Sequence, residues 1–483
     1  MNKIILSNFK QVILWGTFCL FTFSCTKLQE LPKDFTSPDN FYQSKGQIES
    51  AFASSMNRMF GYWQFYDWMN SAGYVSHDDQ LRGGNLAMSD GLGNDVWRVH
   101  YRAIADLNPA IKALNDDKLG FSATQEEKDQ LMAQAKFLRA FNYFTLVRLY
   151  GDVPLIIETT NAASDPIVRN SIVEVYKLIE SDLLFATQKL PVSWPAGLEG
   201  RPSMDAAKTL LAKVYITMAT FPMNDATNYA KARDMAKQVI DAGTHHLETN
   251  IEQVFELANQ WGPEMLWSFH TSSNTEQIHP QIWLPGEMSD GWGDVVCDRL
   301  WAEAYPEQPR KHAYLLLEDY DGNSWTTWDQ GTPSIKKYLY DTRDNFEKYV
   351  NQSNLPILRY PDVLLLFAEA DNMASGSPTQ AAVNAVNLII NRANGNVPNA
   401  ADPLLTTGMS KDAFDKAVIQ QRNLELCFEY DRWFDLIRKR ILREKTIPAY
   451  QQNFSDDDYL LPIPQADLRL NPALTQNPGY TSP

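Results

Sequence analysis

Residues 204–219 place two apolar stripes side by side at helical spacing. Ala206, Leu210, Val214 and Met218 form one stripe, and Ala207, Leu211, Tyr215 and Ala219 form the other. A helix apolar over so wide an arc must be buried on much of its circumference. Ser203 follows Pro202 and is placed to cap this helix, which starts near Met204. Residues 97–114 have a matching period through Trp97, Tyr101, Ile104, Leu107 and Ile111. Residues 125–150 have it through Leu131, Ala135, Leu138, Phe141, Thr145 and Leu149, and Val175, Ile179, Ala186 and Leu190 mark the next helix. Others are expected at about 360–375, at 378–393 and within 411–441. The one at 378–393 follows Ser377-Pro378-Thr379-Gln380, a capping box with proline at the first helical position. The predicted fold class is mostly α, a scaffold of paired antiparallel helices similar to tetratricopeptide hairpins, without a strict repeat.

Two stretches break this pattern. Residues 62–96 hold Tyr62, Trp63, Phe65, Tyr66, Trp68 and Tyr74, then Asp78, Asp79, Gln80, Arg82 and Asn85 among glycines. Residues 260–355 are rich in Trp, Gly, Pro, Asp and Asn, and include Trp261, Trp267, Trp283, Trp292, Trp301, Trp325 and Trp328. Irregular segments lie on surfaces and carry recognition, while helices supply a rigid frame. The stretch 459–480, rich in Pro and Asn, is expected to dock as extended chain. A ligand with an apolar face and a polar rim is suited by indole rings for the face and polar side chains for the rim. Asp78, Gln80, Arg82 and Asn85 are therefore the candidate rim, and Trp283, Trp292, Trp325 and Trp328 the candidate platforms. The competing use of any one tryptophan is to fill the core beneath the irregular face.

The net charge of −16 is opposite to what phosphate backbones require, which excludes nucleic acid as a partner. At the start, Lys3 and Lys10 flank an apolar run, 12–23, too short to span a bilayer comfortably and suited to a signal peptide. Thr22-Phe23-Ser24-Cys25 resembles a lipobox, with Thr22 where Leu is usual. The expected organisation is a signal peptide at 1–24, a tether at 25–45 lipidated on Cys25, and one domain at 46–483 with loop-rich insertions at about 62–96 and 260–355. Cys297 and Cys427 remain in the mature chain, and their pairing is left open.

No residue is assigned a catalytic or metal-binding role. Asp78 and Asp79 are adjacent, and adjacent side chains of extended chain point apart, which does not suit the two acids of a glycosidase. His245-His246 cannot share a helix face as zinc ligands must, and a capping or surface role is expected after Gly243. Asp319-Tyr320-Asp321-Gly322-Asn323 with Asp329 loosely resembles a calcium loop. Its glycine is misplaced and Gln330 stands where a bidentate Glu belongs, so an Asx/Gly turn is favoured. A structural Ca2+ is the one cofactor left open.

Several motifs resemble those of the SusD/RagB family of outer-membrane nutrient-binding lipoproteins. They are Ala135-Lys136-Phe137-Leu138-Arg139-Ala140 with Leu149-Tyr150-Gly151-Asp152-Val153-Pro154-Leu155, Ala206-Ala207-Lys208 through Tyr215, and Pro356-Ile357-Leu358-Arg359-Tyr360-Pro361-Asp362 through Glu369. Arg422, Glu425, Glu429, Arg432-Trp433-Phe434-Asp435-Leu436, Arg438, Leu461-Pro462-Ile463-Pro464 and Asn477-Pro478-Gly479-Tyr480 complete the set in order. The charges of these motifs alternate in sign at helical spacing and read as structural ion pairs on buried faces. The resemblance implies a tetratricopeptide-like scaffold and a cell-surface lipoprotein that captures an oligosaccharide for a SusC-like TonB-dependent transporter, with no enzymatic activity. The alternatives are a RagB-like peptide binder and, more remotely, a surface glycoside hydrolase.

Overall fold

A computed structural model of the chain describes residues 41–60, 92–157, 167–271, 279–445 and 455–480. The chain divides into two units, Met1–Phe41 and Tyr42–Pro483. The second carries helices α1 (Lys45–Phe60), α2 (Leu92–Asn115), α3 (Gln125–Tyr150), α4 (Ile172–Lys189), α5 (Met204–Met218) and α6 (Asn228–Ala242). After the irregular segment come α7 (Tyr360–Ser375), α8 (Gln380–Ala393), α9 (Lys411–Glu425) and α10 (Arg432–Arg438). From α1 to α8 each helix packs on its successor, and α7 also packs on α9. Local chemistry sets where they begin. Thr124 and Glu127 form a capping box at α3, Ser171 and Glu174 another at α4, and the Ser203 hydroxyl accepts from Ala206 N at α5. At α8 the cap is Thr379, which accepts from Ala382 N at 3.1 Å, so the helix starts at Gln380 and Pro378 precedes the cap. That corrects the predicted start, because Thr379 rather than Ser377 reaches the free amide.

Two helices form the centre. From Leu131 onward nearly every side chain of α3 is buried, and only Met204 and Lys208 of α5 escape burial. The doubled stripe therefore has helices on all sides, and α5 contacts α3, α4 and α6. The end of the chain seals the outer edge of α3. Leu461 N donates to Leu149 O at 2.7 Å, and Asn477 Nδ2 donates to Tyr150 O at 3.0 Å. This stretch is not extended throughout, since Gln465–Leu470 makes a short helix.

Strands β1 (Met265–Phe269) and β2 (Leu355–Arg359) pair antiparallel, with Phe269 opposite Leu355. They bring together the two ends of the irregular segment. Trp267 of β1 inserts edge-on against Phe137 and Phe141 of α3, with centroids 4.8 and 5.1 Å away. The segment is less irregular than its composition suggests. It contains helical turns at Arg299–Ala304 and Pro309–Tyr314, a second strand pair of Leu315–Leu316 with Ser334–Ile335, and a small core of Leu284, Met288 and Phe346.

Buried charges join these parts. Arg359 pairs with Glu264 at 2.9 Å, Glu425 at 3.3 Å and Glu429 at 2.6 Å. Arg392 bridges Glu264 and Glu425, Arg310 reaches Glu425 and Asp402, and Lys337 contacts Glu429. A second network links Lys213 of α5 to Asp362 and Asp431, Arg422 to Asp362 and Asp435, and Arg438 to Asp435 and Glu369. Most of the motif charges are thus paired, as expected, and Arg139 pairs with Asp182 at 2.8 Å. Burial alone would raise the Glu369 carboxyl, but Arg438 and Lys439 beside it hold it well below its ordinary value.

Glu369→Gln should therefore destabilise the chain by about 3–5 kcal/mol at pH 7, because two buried cations, Arg438 and Lys439, then share only Asp435 and Asp415 as counter-charges. A carboxyl with a depressed folded pKa stabilises above its unfolded pKa and loses that contribution as pH falls below about 4.5. Urea unfolding at pH 7 and pH 3.5 should show the gap between variant and parent closing with acid. A gap independent of pH would contradict the pairing.

Candidate functional site

Of the predicted platforms, Trp283 and Trp328 are not available. Trp283 is fully buried against Tyr338, with centroids 4.9 Å apart, and Trp328 is 4% exposed. Both support the loops from beneath, and a ring with no free face cannot stack on a ligand. Trp292 is 48% exposed, and Trp325 is half-buried with the Arg299 guanidinium 5.7 Å from its ring centre. Asp78, Gln80, Arg82, Asn85 and Cys25 lie outside the described residues.

Trp292 is held outward by its turn. Its backbone N–H donates to Gln281 O at 2.7 Å, and Gly293 N donates to Leu284 O at 2.9 Å. Gly291 makes this possible, since a Cβ there would sit 2.3 Å from the carbonyl oxygens of Leu284 and Pro285. The imidazole of His279 lies 5.6 Å from the Trp292 ring and 6.3 Å from that of Tyr349. Tyr349 is 40% exposed and holds φ +60° just after the turn Arg343–Phe346. A left-handed tyrosine costs on the order of 1 kcal/mol, and such strain concentrates where a side chain must be aimed.

A second aromatic pair is Trp261 with His270. Trp261 is 38% exposed, and its ring lies 5.5 Å from that of His270 at a tilt of 32°. Gln260 Nε2 donates to Gln352 O at 2.9 Å, which ties this pair to the chain leaving Tyr349. Tyr349 and Gln352 are three residues apart, at most about 11 Å of chain, and this is the link between the two aromatic groups. The first group is Trp292, His279 and Tyr349, and the second is Trp261 and His270. Gly200 lies at its edge, where a Cβ would already touch Trp261 at 3.3 Å.

Polar groups flank the Trp261–His270 pair in fixed positions. The Asn354 side-chain oxygen stands 3.0 Å from His270 Nδ1 and accepts from Thr271 N at 3.1 Å, so an Nδ1–H tautomer leaves Nε2 as an acceptor. Asn259 Nδ2 donates to Glu248 at 2.8 Å. Trp261, His270, Asn259, Gln260 and Gln352 line a cavity of about 380 Å³. On the other side of His270 opens one of about 620 Å³, floored by Trp267 and bordered by the Arg201–Glu49 ion pair at 2.8 Å. Flat rings between two concavities, with pre-set donors and acceptors, suit a chain of sugar rings.

The other flagged groups are engaged locally. Asp319 Oδ1 accepts from Asp321 N and Asn323 N, both at 2.9 Å, closing an Asx/Gly turn. His245 is not a surface residue: its Nδ1 lies 3.2 Å from Pro263 O and its ring stacks near Tyr360. Cys297 and Cys427 are buried free thiols, and burial pushes both pKa values up. Among the described residues, no cluster of three His, Cys, Asp or Glu could hold a metal, and no helix is long and apolar enough to cross a membrane. Trp261 was visible in the sequence only as one tryptophan among seven. A glycine-flanked turn (Trp261-Gly262) is the signal that set it apart.

The helices form a hairpin scaffold that carries these half-exposed rings on its irregular segment. Residues 264–480 match the SusD family, and residues 27–216 match the family described as starch-binding associating with outer membrane. SusD-like protein P2 of Formosa agariphila is 27% identical across 94% of this chain and 97% of its own. SusD-like protein P25 of the same organism is 24% identical across 97% and 99%. The crystal structure of a SusD superfamily protein from Parabacteroides distasonis superposes with a TM-score of 0.77 at 26% identity, covering 90% of this chain and 99% of that one. The chain belongs to the SusD-like family, with its tetratricopeptide-like helical fold and its association with the outer membrane.

Trp283→Ala should cost about 3–5 kcal/mol in urea unfolding, as a large buried ring does. Trp292→Ala should stay within about 0.5 kcal/mol of the parent. Equal costs at the two positions would contradict this assignment of core and surface.

Proposed function

We propose that the chain is a non-catalytic glycan-binding lipoprotein of the cell surface, and that the two aromatic groups, Trp292 with His279 and Tyr349, and Trp261 with His270, act together as one strip that is its platform. The observation that carries this reading is the set of half-exposed rings, in two groups held by backbone turns and flanked by fixed amides. Sugar rings stack along it, and Gln352, Asn259 and His270 Nε2 bond their hydroxyls. The family description, starch-binding, supports a glycan over a peptide. In this reading Cys25 carries lipid, and a SusC-like TonB-dependent transporter receives the cargo.

Calorimetry against maltoheptaose and a panel of plant, algal and host oligosaccharides tests the platform. Trp261→Ala and Trp292→Ala should each weaken binding about tenfold, the equivalent of one lost stacking contact. Retained affinity in the double variant would remove the strip as the site. Binding only to peptides, or new reducing ends after incubation, would overturn the glycan-binding reading itself. Cys25→Ser should move the chain from the membrane fraction to the soluble one, and unchanged membrane association would rule out the lipid.

A further inference from the structure

A separate cavity of about 330 Å³ lies between α3, α4, α10 and the C-terminal segment. Arg148, at the end of α3, lines it and is 7% exposed. Its guanidinium is sandwiched between two rings, 3.7 Å from the centre of Phe144 and 3.3 Å from that of Phe434. Its Nε donates to Phe144 O at 2.9 Å. Among the described residues no carboxylate pairs with it, and neither Nη atom donates a hydrogen bond. The carboxylates within electrostatic reach are already committed. Asp431 is held by Lys213 at 2.7 Å, and Asp435 by Arg422 and Arg438, both at 2.7 Å. Burial lowers the Arg148 pKa to about 10, while Tyr430, Tyr176, Asp431 and Asp435 pull the other way.

The rest of the lining adds positive charge. Arg169 spends its donors on neutral oxygens, those of Asp152, Tyr150 and Thr475 and the side chain of Asn477. Arg438 also lines the cavity, paired with Glu369 and Asp435. The one lining carboxylate, Asp152, accepts from Ile172 N at 2.8 Å at the start of α4. Among the described residues Arg148 and Arg169 have no carboxylate pair, so two guanidiniums stand against the one lining carboxylate in a chain whose net charge is −16.

A buried cation without a counter-charge costs several kcal/mol unless something compensates it. The two rings cover the faces of the Arg148 fork and leave its N–H edge, which matches the paired oxygens of a carboxylate or sulfate. Phe221, Pro222, Ile437 and Leu460 supply apolar walls that would strengthen such a contact by excluding water. We propose that this cavity binds a small oxyanion, a carboxylate or sulfate group, gripped edge-on by Arg148. The anion is either free in solution or carried on an acidic sugar. This site is independent of the aromatic strip.

Calorimetry and thermal melts of the purified chain, at constant ionic strength set with sodium chloride, test it. The probes are sodium sulfate and sodium glucuronate, with glucose as the neutral control. Saturable binding of at least one anion, with a raised Tm and no response to glucose, is expected. Sulfate alone binding would point to a free anion, and glucuronate binding more tightly would point to an acidic sugar. Arg148→Lys keeps the charge but loses the fork and should bind about tenfold more weakly. No saturable response to either anion in the parent chain overturns the proposal without recourse to any variant. So does an Arg148→Lys chain that melts normally and binds as the parent does.

Discussion

A charge that leaves water must meet its opposite, and this fold uses that requirement to hold its two halves together. Four carboxylates, Glu264, Asp402, Glu425 and Glu429, and four cations, Arg310, Lys337, Arg359 and Arg392, form one buried network. Its members come from both ends of the irregular segment, from inside that segment, and from α8, α9 and the loops that follow them. Replacing the whole set with apolar groups could be tolerated, but removing any single member leaves a stranded charge. Such networks give register rather than raw stability. The strand pair and Trp267 set the position of the segment, and the network forbids other dockings. The aromatic strip inherits its geometry from this arrangement.

The sequence displayed the scaffold because helices write their burial periodically. Leu131 to Leu149 and Ala206 to Met218 could be read directly, and α3 has the same limits in the structure as in the reading. The pairing of Arg359, Glu425 and Arg438 was also legible, since charges on apolar stripes need partners. Which partners was not. Glu264, Arg310 and Arg392 lie tens of residues from the groups they neutralise, and no spacing rule connects them. Burial in the loops was the least visible. Trp283 and Trp292 occur in similar contexts, yet one is fully buried and the other is 48% exposed. In a segment without period, only the packing of distant residues such as Tyr338 decides.

The strip and the anion cavity use the same side-chain types for different ends. In the strip, rings keep one face free and polar groups stand beside them. Around Arg148 the rings turn their faces inward on a cation and close off the solvent. Phe144 and Phe434 lie on the scaffold helices α3 and α10, whereas Trp261 and Trp292 lie in loop sequence between them. The molecule thus places common chemistry within the scaffold and individual chemistry at its surface.

The pairing of Phe269 with Leu355 has an evolutionary consequence. A stretch of more than eighty residues that departs from and returns to adjacent rungs of one ladder is closed on itself. Its length can change without moving the helices, because loop closure depends only weakly on length. Any replacement must still bring back two cations, in place of Arg310 and Lys337, to meet Glu425 and Glu429. The insert is an exchangeable cartridge with a two-pin plug, so new specificities can be shuffled in only by sequences that keep the pins.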